Sequence, residues 1–330
     1  MIQFSIIIPM YNLENFIQTT LQSIADNQLD KYCELILVDD GSTDQTVVAA
    51  ESCMGMFKEC SVKLYQKDNS GVSDTRNFGI RNAEGKYLIF CDGDDFFEPG
   101  LIARLREAVI QDADFLCFRY NILQNGNKTV SQPDQEESIC LGIEMLRKHL
   151  FEGYRIRLGS FAVKRELVMN HEIWFASGYN YAEDMEFIMR CLVESGDVQF
   201  IPDVLFCYAK RTGSLMYTYN IKRFDAPLAI RRIYRYASEK KEIDEGLLEY
   251  IKNGLFVLHC IYSFDACIAT CNCPRSMLKE YFGKYGEVEY TLKTIFKEIR
   301  KRPVGISDKK YRLFKFSRRL YVYVYSRRKS

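Results

Sequence analysis

The chain predicts a mostly parallel, doubly wound α/β sheet followed by a helical extension, and three observations lead there. Over residues 1–120, short apolar runs alternate with segments of helical period. Four of these runs empty into clusters of Asp, Asn, Gly and Ser. Beyond residue 220 the character changes to helical patterns rich in Tyr, Arg, Lys and Leu, broken near Asp244, Pro274 and Pro303. Strands alternating with helices imply parallel pairing. Ligands of such sheets bind in the crevice at the carboxyl ends of the strands.

The elements follow in order. Residues 6–8, 34–38, 62–65, 87–90 and 115–118 read as buried strands rich in Ile, Leu, Val and Phe. Helical patterns at 13–25, 44–54, 73–83 and 99–110 separate them. Pro99 sits at a first-turn position, where a missing N–H costs least, and Ser42-Thr43-Asp44 supplies capping side chains. Residues 124–137 read as a loop or hairpin, 141–151 as a helix and 160–163 as a strand. A helix at 181–193 is followed by strands near 198–201 and 204–208. The division falls near 215–220, giving a sheet domain at 1–217 and a helical region at 218–330.

Composition narrows the class. A hydrophobic content of 47% and an aromatic content of 14% in 330 residues indicate a folded globular protein. The start, through Pro9, lacks the basic flank and cleavage site of a signal peptide and reads as a first strand. No uninterrupted apolar stretch has bilayer-spanning length, so the sequence predicts a cytosolic protein. Its twelve cysteines are then mostly small buried hydrophobes rather than a disulfide framework. Cys260, Cys267, Cys271 and Cys273, beside His259, lack the paired knuckle of a structural zinc site. The net charge of +1 conceals an asymmetry, because residues 300–330 carry twelve Lys or Arg against Asp308 alone.

The chemistry concentrates in Cys91-Asp92-Gly93-Asp94-Asp95, directly after the run 87–90. Three carboxylates within four residues repel one another unless a cation sits among them. Hard oxygen donors suit magnesium or manganese, and magnesium completes its shell with water and substrate phosphates. The segment therefore predicts a divalent metal and a phosphorylated ligand together. Tyr11-Asn12, Asp39-Asp40-Gly41-Ser42 and Asp68-Asn69-Ser70-Gly71 follow the first three strands and should face the same edge. In Tyr181-Ala182-Glu183-Asp184, two carboxylates enter the first turn of a helix, whose N-terminus favours the ionised form a base requires. Helix chemistry alone does not choose between Glu183 and Asp184.

Residues 5–12 (Ser-Ile-Ile-Ile-Pro-Met-Tyr-Asn), Leu37-Val38-Asp39-Asp40-Gly41-Ser42, Asn69-Ser70-Gly71 with Arg76-Asn77, the 85–95 segment and Glu183-Asp184 occur in this order. Together they resemble family 2 glycosyltransferases of the GT-A fold, the nucleotide-diphospho-sugar transferase fold, of the kind that builds bacterial surface polysaccharides. The resemblance spans roughly residues 3–215. It implies that Asp40, with Asp39 beside it, meets the nucleotide base, a carboxylate being able to accept an imide N–H. A uridine donor is the expectation, although guanine offers a similar N–H. Pro9, Tyr11 and Arg76 are implied at the nucleotide and diphosphate, Asp92 at the ribose or metal, Asp94 on the metal, and Asp95 in support. Asp184 is implied as general base. Arg211 and Ser214, in 208–214, match a basic element closing over the donor phosphates.

The implied reaction is inverting, metal-dependent transfer of one sugar from a nucleotide-diphosphate sugar to an acceptor hydroxyl on a lipid-linked or growing surface glycan. Processive synthases carry Gln-x-x-Arg-Trp and spanning helices, whereas the only tryptophan here is Trp174. No Gly-x-Gly-x-x-Gly or Walker loop follows the first strand. The rival readings are a nucleotidyltransferase, which would release pyrophosphate, and an inactive nucleotide-sugar binder. Residues 303–330 mix cations with aromatics, as an interfacial helix does. They are assigned to an anionic membrane surface, placing the protein peripherally on the inner face of the plasma membrane. A solvated helix packed on the acidic body is the alternative, and no nucleic-acid module is recognised.

Overall fold

The computed structural model describes residues 1–132, 134–210, 218–298, 303 and 305–327. The chain divides into two units, one comprising Met1–Gly178 and Phe187–Arg211, the other Tyr179–Glu186 and Thr212–Ser330. Thus an eight-residue segment groups with the helices, a feature that the sequence division at 217/218 does not anticipate.

In the first unit the alternation runs β1 (Phe4–Met10), α1 (Ile17–Ala25), β2 (Cys33–Asp39), α2 (Thr46–Cys53), β3 (Ser61–Gln66), α3 (Val72–Asn82), β4 (Tyr87–Phe90), β5 (Phe96–Phe97) and α4 (Leu101–Ala108). Then come β6 (Phe115–Gln124), β7 (Asn127–Val130), β8 (Ser138–Leu141), α5 (Gly142–Phe151), β9 (Phe161–Lys164), α6 (Arg165–Asn170), α7 (Glu183–Glu194), which belongs to this unit from Phe187 onward, and β10 (Asp197–Lys210). The sheet order is β3-β2-β1-β4-β9-β6-β10-β5, with β7 on β6 and β8 on β10. Strands β3, β2, β1 and β4 are mutually parallel. They are covered by helices such as α1, whose Ile17, Leu21 and Ile24 recur on one buried face. The other half is mixed. Strand β9 runs antiparallel to both β4 and β6, and β5 antiparallel to β10.

Local chemistry accounts for the details. Pro9 tolerates a central strand because β1 pairs with β4 only through Ile7, so no ladder needs its missing N–H on that side. Asn125 and Gly126, both at positive φ, make the tight turn joining β6 to β7. The two short strands expected at 198–201 and 204–208 are one strand, β10, irregular in register around Pro202. The chain turns from β1 to β2 and β3 on one side and later to β4 on the other. The switch point therefore lies between β1 and β4.

The second unit contains α8 (Asp225–Ser238), α9 (Glu245–Glu249), α10 (Phe256–Thr270), α11 (Pro274–Lys284), α12 (Gly286–Glu298), α13 (Asp308–Phe316) and α14 (Arg318–Ser326). A π-helical turn at Tyr250–Leu255 joins α9 to α10. The resulting 26-residue run, Glu245–Thr270, is long and apolar enough by length and composition to cross a bilayer, a candidate that the search for an uninterrupted apolar stretch passes over. Half of its most apolar window is buried. The tail is not one interfacial helix, because Ser317 adopts extended backbone and splits it into α13 and α14. Tyr311, Phe314, Tyr321 and Val322 are buried, and Arg318 pairs with Glu289 at 2.6 Å with both side chains nearly inaccessible. Cys260 and Cys267 are buried and all twelve cysteines are free thiols. Among the described residues no three His, Cys, Asp or Glu side chains gather into a ready-made cation cage.

Candidate active site

Parallel register carries the ends of β3, β2, β1 and β4 to one edge, and the loops there interlock. Asn12, at positive φ after β1, receives the Thr43 N–H at 2.9 Å on its side-chain oxygen. Its own N–H donates to Ser42 Oγ at 3.0 Å. Tyr11 is exposed and Pro9 buried. Asp39, almost inaccessible, receives the Ser42 N–H at 3.0 Å on Oδ2, while its buried Oδ1 has no partner among the described residues. A buried carboxylate oxygen left unsatisfied is costly, and a ligand hydroxyl or N–H would satisfy it.

Asp40 is engaged differently. Its carboxylate accepts Lys67 Nζ and the N–H groups of Ser70 and Gly71, both at 2.9 Å. Burial works to raise its pKa, but the Lys67 cation and the two backbone donors outweigh it and hold it below the ordinary value. Asp40 therefore ties down the loop 67–71, and Asn69 Nδ2 adds a bond to its carbonyl at 2.9 Å. Gly41 permits this approach. Its φ of +72° is left-handed, and a Cβ there would lie 3.1 Å from the Asn69 nitrogen.

The loop leads into α3. Arg76 is buried there, donates to Asp92 Oδ1 at 2.7 Å and lies 5.2 Å above the Phe175 ring. Asn77 pins Phe175 with a reciprocal pair of 2.9 Å bonds to its backbone N–H and carbonyl. Phe175 stacks on Phe187 at 4.1 Å, and Phe90, the last residue of β4, meets both edge-on. Phe90, which ends the strand presenting the aspartates, thus shares an aromatic foundation with Phe175 and Phe187.

The three carboxylates after β4 separate by environment. Asp95 is buried, and its Oδ1 accepts the Ala209 N–H at 2.8 Å, tying the turn to the end of β10. Asp92 and Asp94 are part-exposed. Asp94 lines a cavity of about 260 Å³ with Phe16, Thr20, Phe96, Asn125 and Lys210. Gly93 between them sits in a tight space, where a Cβ would lie 2.7 Å from Leu13 Cδ1 and 3.3 Å from the Pro9 carbonyl, so a larger residue would make the Leu13 side chain shift. Cys91 is fully buried. Burial first, and then the neighbouring carboxylates, push its thiol far above the usual range.

Asp184 stands in the first turn of α7, part-exposed, with Oδ1 accepting the Met185 N–H at 2.7 Å. Ala182, just before it, has a φ of +65°. Arg211 and Ser214 lie outside the described residues.

Residues 5–171 match the sequence model of glycosyl transferase family 2. The chain belongs to that family. This glycosyltransferase is 28% identical over 251 residues to the uncharacterized glycosyltransferase EpsJ of Bacillus subtilis, 72% of each chain being covered. It is 27% identical over 220 residues to the poly(ribitol-phosphate) β-N-acetylglucosaminyltransferase TarS of Staphylococcus aureus, covering 66% of this chain and 37% of that one. The crystal structure of TarS residues 1–349 with UDP-GlcNAc superposes with a TM-score of 0.73 at 20% identity, covering 98% of this chain and 90% of that one. That likeness establishes the GT-A fold.

A divalent cation fits the donor set on chemical grounds. Asp92 and Asp94 offer hard, part-exposed oxygens on one turn, and a cation taking one or two carboxylates completes its shell from phosphates. Asp95, committed to the backbone, supports the turn. Sequence reasoning passed over Lys67, which locks Asp40, and Arg157. The Arg157 guanidinium lies 4.4 Å over the Tyr208 ring, with Nε 3.1 Å from Tyr120 Oη. The Ala209 N–H bond to Asp95 places this stack beside the aspartates, and burial raises the Tyr208 pKa against the pull of Arg157, with Asp95 and Asp94 adding to the rise. Lys67 adjoins a motif and was within reach. No local signal marks Arg157.

Proposed function

We propose that this enzyme is an inverting, metal-dependent, non-processive transferase. It moves one sugar from a uridine-diphosphate sugar to a hydroxyl of a lipid-linked or growing glycan. The observation that carries the reading is the carboxyl edge of β1 and β4. Part-exposed Asp92 and Asp94, backed by buried Arg76, stand there at the switch point of the sheet. Supporting a uridine donor is the likeness in fold to a protein solved with UDP-GlcNAc.

Asp92 and Asp94 would hold the cation, which when bound neutralises charge on the departing diphosphate. Arg76 orients Asp92 and adds fixed positive charge beside it. Asp39 Oδ1 offers an acceptor to the nucleoside, and the Asp40–Lys67 pair shapes the loop around it. Asp184 takes the proton of the attacking hydroxyl, whose pKa lies far above neutrality. One base and no second nucleophile fit a single displacement, hence inversion.

For the acceptor side, support comes from α14. Arg319, Leu320, Tyr323 and Arg327 are exposed at helical spacing, Phe316 precedes them, and no acidic residue follows Asp308. Such a face suits an anionic lipid surface that presents a lipid-linked acceptor.

The deciding experiment incubates the protein with UDP-glucose, UDP-galactose and UDP-GlcNAc plus manganese or magnesium, with a chelator control. Metal-dependent release of UDP supports transfer chemistry. Release of pyrophosphate would indicate a nucleotidyltransferase, and no turnover of any donor would leave a binder.

A further inference from the structure

The segment Tyr179–Glu186, which groups with the helical unit, is held there by a set of contacts that the family motif does not contain. Glu186 is buried and accepts a forked pair of bonds from Arg232 of α8, with Nε at 2.9 Å and Nη2 at 2.7 Å from Oε2 and a further Nε contact of 3.1 Å to Oε1. The same guanidinium lies 3.9 Å from the centre of the Tyr179 ring. Asp225, the first residue of α8, accepts the Asn180 N–H at 3.3 Å and the Tyr285 hydroxyl at 2.9 Å. Arg223 covers the Tyr181 ring at 5.3 Å. Four of the eight residues are therefore gripped by three residues within ten positions, from Arg223 just before α8 to Arg232 in its middle.

Between these grips the backbone is strained. Ala182 has a left-handed φ of +65°, which a residue bearing a Cβ adopts only where its surroundings impose it. Its carbonyl accepts the Glu186 N–H at 3.0 Å, closing the first turn of α7 around Asp184. Asp184 is thus two residues beyond a strained position and two before the clamped carboxylate. An Arg fork fixes orientation as well as charge, which a lysine does not do.

We infer that Arg232 is a positioning residue for Asp184: gripping Glu186 and Tyr179 at once, it imposes the strained turn that presents the Asp184 carboxylate to the acceptor hydroxyl. This inference rests on Asp184 being the base. The clamp acts on transfer and not on the donor, because none of its members belongs to the nucleotide or metal residues.

The test compares Arg232→Met, Arg232→Lys and Glu186→Gln with Asp184→Asn in the full chain. UDP binding with manganese is measured by calorimetry, and UDP release is measured from whichever of the three UDP-sugars the wild type uses fastest. Arg232→Met should bind UDP within about twofold of wild type and lose about ten- to hundredfold in kcat, as expected for a misplaced catalytic group. Arg232→Lys should recover only part of that loss. Tyr179→Leu, a milder change, should show the same split to a smaller degree and serves if Arg232→Met fails to fold. Wild-type kcat in a folded clamp variant, or UDP binding and kcat falling together, would overturn the inference. If Asp184→Asn keeps full turnover, the base assignment itself fails, and the two failures are told apart.

Discussion

Asp94 and Asp184 carry opposite halves of the proposed displacement, and their amides separate them. Asp94→Asn should weaken manganese-dependent UDP binding and abolish turnover. Asp184→Asn should leave that binding intact while turnover falls by about 10²–10⁴-fold, the usual worth of a general base. Calorimetry with UDP and manganese, paired with UDP release, checks both. Asp40 makes a second residue-level prediction. Its folded pKa lies below the ordinary value, so the stability it contributes is present above the unfolded carboxylate pKa. That stability is lost as pH falls through the lowered folded value. Asp40→Asn should cost about 1–3 kcal/mol at neutral pH, because Lys67 and two N–H donors lose a charged acceptor, and should flatten the acid limb of a pH–stability curve. Residue identities such as Asp39, Asp92 and Asp94 were legible because they follow their strands directly. Their partners were not, since Lys67 is 27 residues from Asp40 and Ala209 is 114 from Asp95.

At the scale of elements, the helical unit holds two polar devices with measurable consequences, the part-buried His259 and the buried Glu289–Arg318 pair. Burial in α10 lowers the His259 pKa from 6.5 to about 4, so its neutral form is favoured on folding. The unfolded chain then binds a proton that the folded chain does not, and stability falls as pH drops from about 6.5 toward 4. His259→Phe should remove that slope, on the order of 1–3 kcal/mol across the window, in melts taken at half-unit intervals. The Glu289–Arg318 pair joins α12 to α14, and Arg318 also donates to the Phe314 carbonyl at 2.9 Å. Arg318→Met leaves the Glu289 charge buried and should destabilise by about 3–5 kcal/mol in denaturant titration. The longer elements that build the sheet, and α7, were readable from apolar periodicity, whereas the short β5, β8 and α6 were not, being too brief to show a period. The splitting of the tail at Ser317 was not, because α13 and α14 read as one amphipathic stretch until their buried faces meet other helices.

For the whole molecule, the tail's buried residues change how membrane contact must be tested. Deleting 303–330 would remove Tyr311, Phe314, Tyr321 and Val322 from the core of the helical unit, so loss of liposome binding would say little. Replacing exposed Phe316, Leu320 and Tyr323 with Ser should instead preserve the melting temperature. It should also weaken sedimentation with vesicles containing phosphatidylglycerol, if the proposed lipid contact is made. Unchanged sedimentation would remove that contact from the reading.

The amino-acid sequence by itself determined the family, the parallel half of the sheet and the carboxyl-edge clusters. Each of these is written in contiguous residues whose period and chemistry are local. Only the tertiary structure decided which carboxylates remain available. Asp95 is taken by Ala209 and Asp40 by the loop 67–71, while among the described residues nothing pairs with one oxygen of Asp39. It also decided that Tyr179–Glu186 belongs with the helices, through Arg232 and Asp225, 46 and 45 residues from the groups they bind. The physical reason is common to both. A side chain's availability depends on which donors the fold brings within 3 Å of it, and those donors come from remote segments that no local pattern encodes.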